Sequence, residues 1–567
     1  MERTYLGFDL STQQLKVVAI NDSLEVVTEE HVHFDTDLPE FATSGGVNAG
    51  KDGVVTASPL MWAKALDLLL DKLNKTGFDF SRVSGVSGCA QQLGSVYWAT
   101  GAQRKLGTMD PSHMLYTQVE DLFSLPYSPV WLDCSTSVEC RLLEEAVGRE
   151  ELVASTGYFM SEGMTSAQIF KIWRTKQEEY QKTERISLIS SFLASLITGT
   201  IAPIDLGDGS VTGLLDIRTK VWADAVLDTI GEGVKEKLGK AVDSDTVVGV
   251  VSEYMQARYG FSSSCTVTAF TGDNPSSFAG LAMRQRDVSF SLGTSDALTT
   301  GIEELFVQKP GQENMILIHP VNRDIYMPIV YNKNGSLTRE RVRDQRCGGS
   351  WSVFSDLLDK SPPGNDGNIG LYFDLPETVP SLCGDFRFNA RDEMVEEYDD
   401  DMTEVRALVE GQVLAKKVRF EAMGIKLDQT SRLIVTGGAS VNKSILQVIA
   451  DVMGIPVFSQ PTHNSAPLGS AYRARYSCIK DITGCTYAEM VEGVSKSARL
   501  VCMPVEGLQE VYADMCKRLV KLQLKAAQIM KSNNDEVKVD NSAKEVHDNT
   551  EEVTTKVESL AQPQRER

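Results

Sequence analysis

Two six-residue stretches constrain this sequence more than any other feature: Phe8-Asp9-Leu10-Ser11-Thr12-Gln13 and Phe290-Ser291-Leu292-Gly293-Thr294-Ser295. Each is a hydrophobic strand ending in a hydroxyl-rich turn, with Phe, Leu and Thr in matching places, and they lie half of a 567-residue chain apart. An internal echo at that spacing points to a duplicated unit, and a chain this long exceeds what one hydrophobic core serves. Two large domains are therefore expected. The boundary is expected in the polar stretch "RYGFSSSC", residues 258–265.

The rest of the chain reads as α/β. Residues 4–20 give strand, tight polar turn, strand. A helix is predicted over 59–76, where proline suits the first turn and apolar residues recur at three and four. "VSGVSGCA" reads as a strand, residues 101–130 as a long surface insertion, and 135–147 and 165–182 as helices. Residues 394–404, "MVEEYDDDMTE", read as a solvated acidic loop before another helix. From Ser532 the chain lacks aromatics and is filled with Asp, Glu, Asn, Lys and Thr. Such a segment buries too little apolar surface to offset ordering entropy, so 532–567 are expected to be a disordered acidic tail.

Composition excludes several classes. A net charge of −22 disfavours nucleic acid and anionic membranes as partners, because phosphates would be repelled. No apolar run approaches the roughly 18 residues of a membrane span. The start, "MERTYLGFDL", is unlike a signal or transit peptide, so a cytoplasmic protein is expected. Ten scattered cysteines with no CxxC, six histidines and no HExxH argue against a structural zinc and for reduced, buried thiols.

One apparent motif fails on context. "GGVNAGK" (45–51) has phosphate-loop spacing, but Asp52 stands where Ser or Thr must ligate magnesium, and no strand precedes it. Four other elements are stronger. Asp9 ends an apolar strand and is followed by Ser11, Thr12 and Gln13; a carboxylate there must be satisfied or must serve a cation. "SLGTSD" (291–296) is a second such turn, "TGDNPSS" (271–277) places Asp273 at a strand end, and "LIVTGGAS" (433–440) runs into paired glycines before a helix. Hydroxyls and bare backbone amides at strand tips suit phosphate groups. Taken alone, the first turn also fits an ordinary Asx-type hairpin turn.

Together these blocks, with "VSGCAQQLGSVYW", "TERISLISSFLASL", "KNGSL" and "TGGASVNKSILQVIADV", resemble the FGGY family of carbohydrate kinases and, within it, the eukaryotic xylulose kinases. The resemblance extends to about residue 530. It implies two ribonuclease-H-like domains of the actin and sugar-kinase type, with ATP and sugar in the cleft between them. Residues 1–264 would be the sugar-binding domain and 265–531 the nucleotide-binding domain. It implies ATP- and magnesium-dependent phosphorylation of D-xylulose to D-xylulose 5-phosphate by a monomer or homodimer. By the same resemblance Asp273 is the catalytic base, and Gln91, Gln92, Asp273 and Asn274 contact the sugar. Asp9 supports magnesium. Thr12 and Gln13 form the first phosphate turn and Gly293, Thr294 and Ser295 the second, while Trp351, Gly437, Gly438 and Asn442 surround the nucleotide.

Two positions depart from the family pattern. Where xylulose kinases read "GQQHG", this chain reads Gln91-Gln92-Leu93-Gly94; where the family has "ERFTG", the arginine falls on Gly163. Both missing groups are sugar ligands in the family. Charged hydrogen bonds are worth about 1.5–3 kcal/mol each and neutral ones about half that, so an arginine together with a histidine that can be charged or neutral represents about 2–5 kcal/mol of binding to the usual ketose. Three readings follow: a xylulose kinase whose site compensates through neighbours or water, a kinase for another sugar or polyol, and a weakly active sugar-binding or regulatory protein.

Overall fold

The computed structural model describes residues 2–308, 314–377, 379–428, 430–460 and 464–532. Its contacts divide the chain into two compact units. The first comprises 1–331, 423–443 and 455–503, and the second the remainder. The 264/265 boundary expected from the sequence falls inside the first unit.

Two seven-stranded sheets of the first unit carry the duplication. In the first sheet the strands are β1 (Thr4–Leu10), β2 (Gln14–Asn21), β3 (Val26–His33), β4 (Val83–Ala90), β5 (Val247–Val250), β6 (Thr266–Thr268) and β7 (Thr271–Gly272). Their order is β5-β6-β4-β1-β2-β3, with β7 also on β4. β1 pairs antiparallel with β2 and parallel with β4. In the second sheet they are β8 (Val288–Leu292), β9 (Asp296–Thr300), β10 (Met315–Ile318), β11 (Tyr326–Asn332), β12 (Leu433–Thr436), β13 (Val457–Ser459) and β14 (Arg499–Cys502). Their order is β10-β11-β9-β8-β12-β13-β14, and β8 again pairs antiparallel with its hairpin partner and parallel with β12. The two echo sequences occupy equivalent places: β1 and β8 each end in the turn that begins a hairpin.

β1 is buried along its whole length, as a strand flanked on both sides requires. Helix α1 (Asp273–Gly280) follows β7 directly and packs against α2 (Ser465–Thr483), which also lies on β1 and β4. Backbone meets backbone here. A Cβ on Gly280 would lie 1.9 Å from the Ser465 carbonyl oxygen, one on Gly469 1.8 Å from that of Ser276, and one on Gly7 2.0 Å from that of Pro467. Ser276 Oγ reinforces the contact by donating to the Ala466 carbonyl at 2.7 Å. The fully buried Arg473 of α2 donates to the carbonyls of Pro320 (3.1 Å), Ala269 (2.6 Å) and Ser244.

The second unit contains a three-stranded antiparallel sheet, Ile369–Phe373, Gly384–Phe388 and Met394–Val395, against the helix Asp401–Ala422. Its interior holds the ion pair of Arg406 and Glu410 at 2.7 Å, with Tyr512 Oη donating to Glu410 at 2.7 Å.

Two expectations are corrected. Residues 101–130 do not simply ride on the surface: Leu106, Leu115, Val119, Leu122 and Val130 are buried in the core of the first sheet. The acidic loop ends earlier than expected, because the helix starts at Asp401 and Glu404 is buried, accepting both Nε and Nη2 of Arg387. Ser532, where the tail was expected to begin, ends a helical stretch, and 533–567 lie outside the described residues.

The glycine contacts make a prediction. Gly469→Ala forces α1 and α2 apart and costs about 1–3 kcal/mol, the usual range for overpacking. Thermal unfolding of the variant shows a lowered midpoint; a midpoint equal to wild type would contradict the packing described.

Candidate active site

The first group of expected residues meets at the ends of β1, β4 and β7. Asp9 is buried at 4% exposure, opposite Lys16 on β2 and Cys89 on β4. Ser11 Oγ donates to its Oδ2 at 2.8 Å, and Cys89 Sγ lies 3.7 Å from Oδ1. Burial pushes this carboxyl above its ordinary range, which Ser11 partly offsets. The turn beyond is closed by the Ser11 amide donating to the Gln14 carbonyl at 3.0 Å, and leaves Gln13 exposed. Trp131 Nε1 donates to Thr12 Oγ1 at 3.0 Å, and Thr12 Oγ1 donates to Gln91 Oε1 at 3.4 Å. The other end of that amide, Gln91 Nε2, is buried without a hydrogen-bond partner. A buried donor left unpaired is costly, and it suits an oxygen-rich ligand.

Asp273 and Asn274 start α1. The Asn274 backbone amide donates to Asp273 Oδ1 at 2.8 Å, and its side-chain Nδ2 reaches the same oxygen at 3.2 Å. Nδ2 also donates to Gln92 Oε1 at 2.9 Å, joining three expected residues in one network. Burial, followed by the charge of Asp9, lifts the Asp273 carboxyl to about 7. A buried carboxyl whose ionisation a neighbouring negative charge disfavours is suited to holding a proton near neutral pH.

A second group lies at the tips of β8 and β12. Gly293, Thr294 and Ser295 turn the chain between β8 and β9, with Thr294 exposed and Tyr331 Oη donating to Ser295 Oγ at 2.9 Å. Gly437 follows β12 with φ +86°, and a Cβ there would stand 2.4 Å from the Leu292 carbonyl oxygen. Only glycine allows this turn to lie against the other. Gly438 is exposed, a Cβ there would meet nothing within 4 Å, and Asn442 follows the short turn Gly438–Val441. Trp351 belongs to the second unit, where it opens the helix Trp351–Lys360 with the Arg343 guanidinium 4.8 Å from its ring centroid.

The two departures from the family pattern have structural consequences. Leu93 has φ +71°, unusual for a leucine. It packs with clusters that include Met164, Leu206, Val211 and Phe278. At Gly163 a Cβ would lie 2.4 Å from the Trp131 carbonyl oxygen, so the backbone here closes on Trp131 where a side chain would intrude. The rejected phosphate-loop stretch is otherwise engaged, since the Gly45 and Gly46 amides donate to the Asp35 carboxylate at 2.7 and 2.9 Å.

Sequence reasoning missed Trp131 and a buried acid, Asp208. Gln92 Nε2 donates to Asp208 Oδ1 at 3.4 Å and Ser190 Oγ to Oδ2 at 2.6 Å. The only signal was the pair of acids in "DLGDGS", residues 205–210. Among the described residues no group of three or more His, Cys, Asp or Glu side chains is poised around a metal. No helix among them is long and apolar enough to cross a membrane.

Known proteins supply the comparison. The N-terminal domain of the FGGY family of carbohydrate kinases matches residues 124–280 and the C-terminal domain matches 367–478. Xylulose kinase of Rattus norvegicus is 46% identical over 525 residues, covering 92% of this chain and 96% of that protein. Xylulose kinase 2 of Arabidopsis thaliana is 39% identical, over 88% of this chain and 92% of that protein. Among solved structures, xylulose kinase from Rhodospirillum rubrum aligns with a TM-score of 0.75 at 16% identity, over 93% of this chain and 99% of its own. Plasmodium falciparum glycerol kinase with ADP gives 0.74 at 17% identity, over 93% and 98%. At such identities the structures bear on the fold, which is the two-domain α/β sugar-kinase type expected from the sequence.

The charge of Asp9 helps to raise the Asp273 carboxyl, which sets a prediction. Carbodiimide labelling, which needs a protonated carboxyl, persists at Asp273 up to pH about 7. In Asp9→Asn the neighbouring negative charge is gone, so the labelling midpoint, read by peptide mass spectrometry, moves to lower pH. A wild-type midpoint near 4, that of an ordinary carboxylate, would contradict this electrostatic picture.

Proposed function

Because the chain belongs to the FGGY family of carbohydrate kinases, we propose that it transfers the γ-phosphoryl group of ATP to D-xylulose, forming D-xylulose 5-phosphate. The observation that carries the reading is the placement of the Asp273 carboxyl at the head of α1, held in direction by Asn274, which also binds Gln92. Burial and the charge of Asp9 raise it to about 7. A base poised near neutral pH suits removal of a proton from a sugar hydroxyl. The full-length likeness to xylulose kinases supports D-xylulose as the acceptor.

In this reading Asp273 accepts the proton of the terminal hydroxyl as its oxygen attacks the γ-phosphorus. Gln91, Gln92 and Asn274 hold the sugar, with the unpaired Gln91 Nε2 free to donate to a hydroxyl. Thr12 and Gln13 face the phosphates from one turn, Gly293, Thr294 and Ser295 from another. Gly437, Gly438, Asn442 and Trp351 surround the rest of the nucleotide. Phosphoryl transfer asks mainly for such positioning and charge neutralisation. Magnesium would supply part of that neutralisation, and Asp9, a buried carboxyl whose side-chain donors among the described residues are Ser11 and Cys89, fits its support. The reading also assigns residues 1–264 to sugar binding and 265–531 to nucleotide binding, with the protein acting in the cytoplasm as a monomer or homodimer.

Leu93 supports a second reading, a kinase for a different sugar or polyol, since an apolar side chain packed against the cluster that contains Val211 and Phe278 favours an acceptor with an apolar face. ADP release with Mg-ATP and a panel of ketoses, polyols and deoxy-ketoses decides between them. D-xylulose is expected to give saturable turnover faster than the others; a faster deoxy-ketose or polyol would favour the second reading. Turnover of none, with nucleotide still bound, would contradict both.

The base makes a sharper prediction. Asp273→Asn lowers kcat by about 10²–10⁴, the usual contribution of general base catalysis. In wild type kcat/KM falls as pH drops through about 7, because the base must be ionised to work. Activity that stays flat down to pH 5 would contradict the assignment.

A further inference from the structure

Asp208 is fully buried on the short helical turn Leu206–Gly209, which the Asp205 side chain caps. Among the described residues no ion pair reaches it, and its side-chain hydrogen-bond partners are the hydroxyl of Ser190 and the amide of Gln92. A carboxyl in such surroundings normally disrupts a core unless it does something there. Burial and the charge of nearby Asp205 push it well above the ordinary carboxyl range, and Asp273 adds to the effect.

The direction of its hydrogen bonds matters more than its charge. Ionised, or protonated on the Oδ2 that faces Ser190, Asp208 keeps Oδ1 as an acceptor for Gln92 Nε2, which turns Gln92 Oε1 the other way. Gln92 Oε1 then accepts from Asn274 Nδ2, and that same Nδ2 donates to Asp273 Oδ1. A primary amide has two ends of nearly equal shape, and only its partners decide which faces where. Asp208 settles the first amide, the first settles the second, and the second holds one oxygen of Asp273.

We propose that Asp208 is a positioning residue for phosphoryl transfer, one that fixes through Gln92 and Asn274 the direction in which Asp273 presents its carboxylate to the acceptor hydroxyl. The proposal rests on the reading of Asp273 as the base. Ser190 serves the arrangement by holding the second oxygen of Asp208. Neither Asp208 nor Ser190 touches the acceptor in this role. A residue acting through orientation alone lowers kcat while leaving nucleotide binding as it was.

The test is steady-state kinetics of the full-length protein with Mg-ATP and D-xylulose. Asp208→Asn keeps a carbonyl oxygen for Gln92 and a polar group for Ser190, and stays within about threefold of wild type. Asp208→Leu keeps the bulk and removes the acceptor, and lowers kcat by about 10–100-fold, the scale of a misplaced reacting group. Its KM for ATP and its thermal midpoint stay as in wild type. Because Asp208 acts through Gln92, the double variant with Gln92→Ala is about as slow as Gln92→Ala alone.

Should Asp208→Leu fail to fold, Ser190→Ala carries the test, with kcat about 3–10-fold lower from a loosened Asp208. Wild-type kcat in Asp208→Leu or, where that variant does not fold, in Ser190→Ala overturns the proposal. So does Asp208→Asn as slow as Asp208→Leu, or losses that multiply in the double variant. Asp273→Asn, run in parallel, separates the two levels. If it retains wild-type turnover the base reading falls and takes this proposal with it. If it is inactive while Asp208→Leu is fast, only the role of Asp208 falls.

Discussion

The close approach of α1 to α2 is the constraint on which the rest of the site depends. Asp273 is the first residue of α1, so its carboxyl can stand only where that helix lets it. Gly280 and Gly469 allow the two helix backbones to touch, and Gly7 allows α2 to settle on β1, the strand that carries Asp9. One helix therefore sets the spacing between two carboxyls on separate elements. Arg473, whose buried guanidinium is spent on main-chain carbonyls, ties α2 to segments around β6 and ahead of β11. A cation buried this way gains its stability from hydrogen bonds to fixed acceptors. It contributes rigidity, which the small positional tolerance of phosphoryl transfer requires.

The electrostatics follow from that spacing. Asp9 and Asp273 are each desolvated, and the charge of the first raises the second to about 7. Burial raises both carboxyls, and Asp273 gains and loses its proton near neutral pH. In the proposed reaction Asp273 is the base and Asp9 supports the cation.

Much of this was legible in the sequence because it is local. The echo between Phe8 and Phe290 marks two hairpins that fall at equivalent places in two sheets of matching order. Glycine pairs and hydroxyl turns after apolar strands identify the strand tips without any tertiary information. What escaped depends on partners far away along the chain. Asp208 looks like a solvated turn acid until Gln92, 116 residues distant, is brought to it. Trp131 meets Thr12 across 119 residues, and no periodicity announces it. The insertion at 101–130 was misread because its many polar turn formers mask a few widely spaced leucines and valines that reach the core. Gly469 shows the same limit, since its need for a bare Cα arises only from the helix opposite.

The measurement that bears most directly on the account is ³¹P NMR of the purified protein with Mg-ATP and D-xylulose. A sugar phosphate monoester, attached at C5, is expected to appear at the same rate as ADP. Release of inorganic phosphate in its place would contradict it, since the carboxyl of Asp273 would then be activating water and not the sugar hydroxyl.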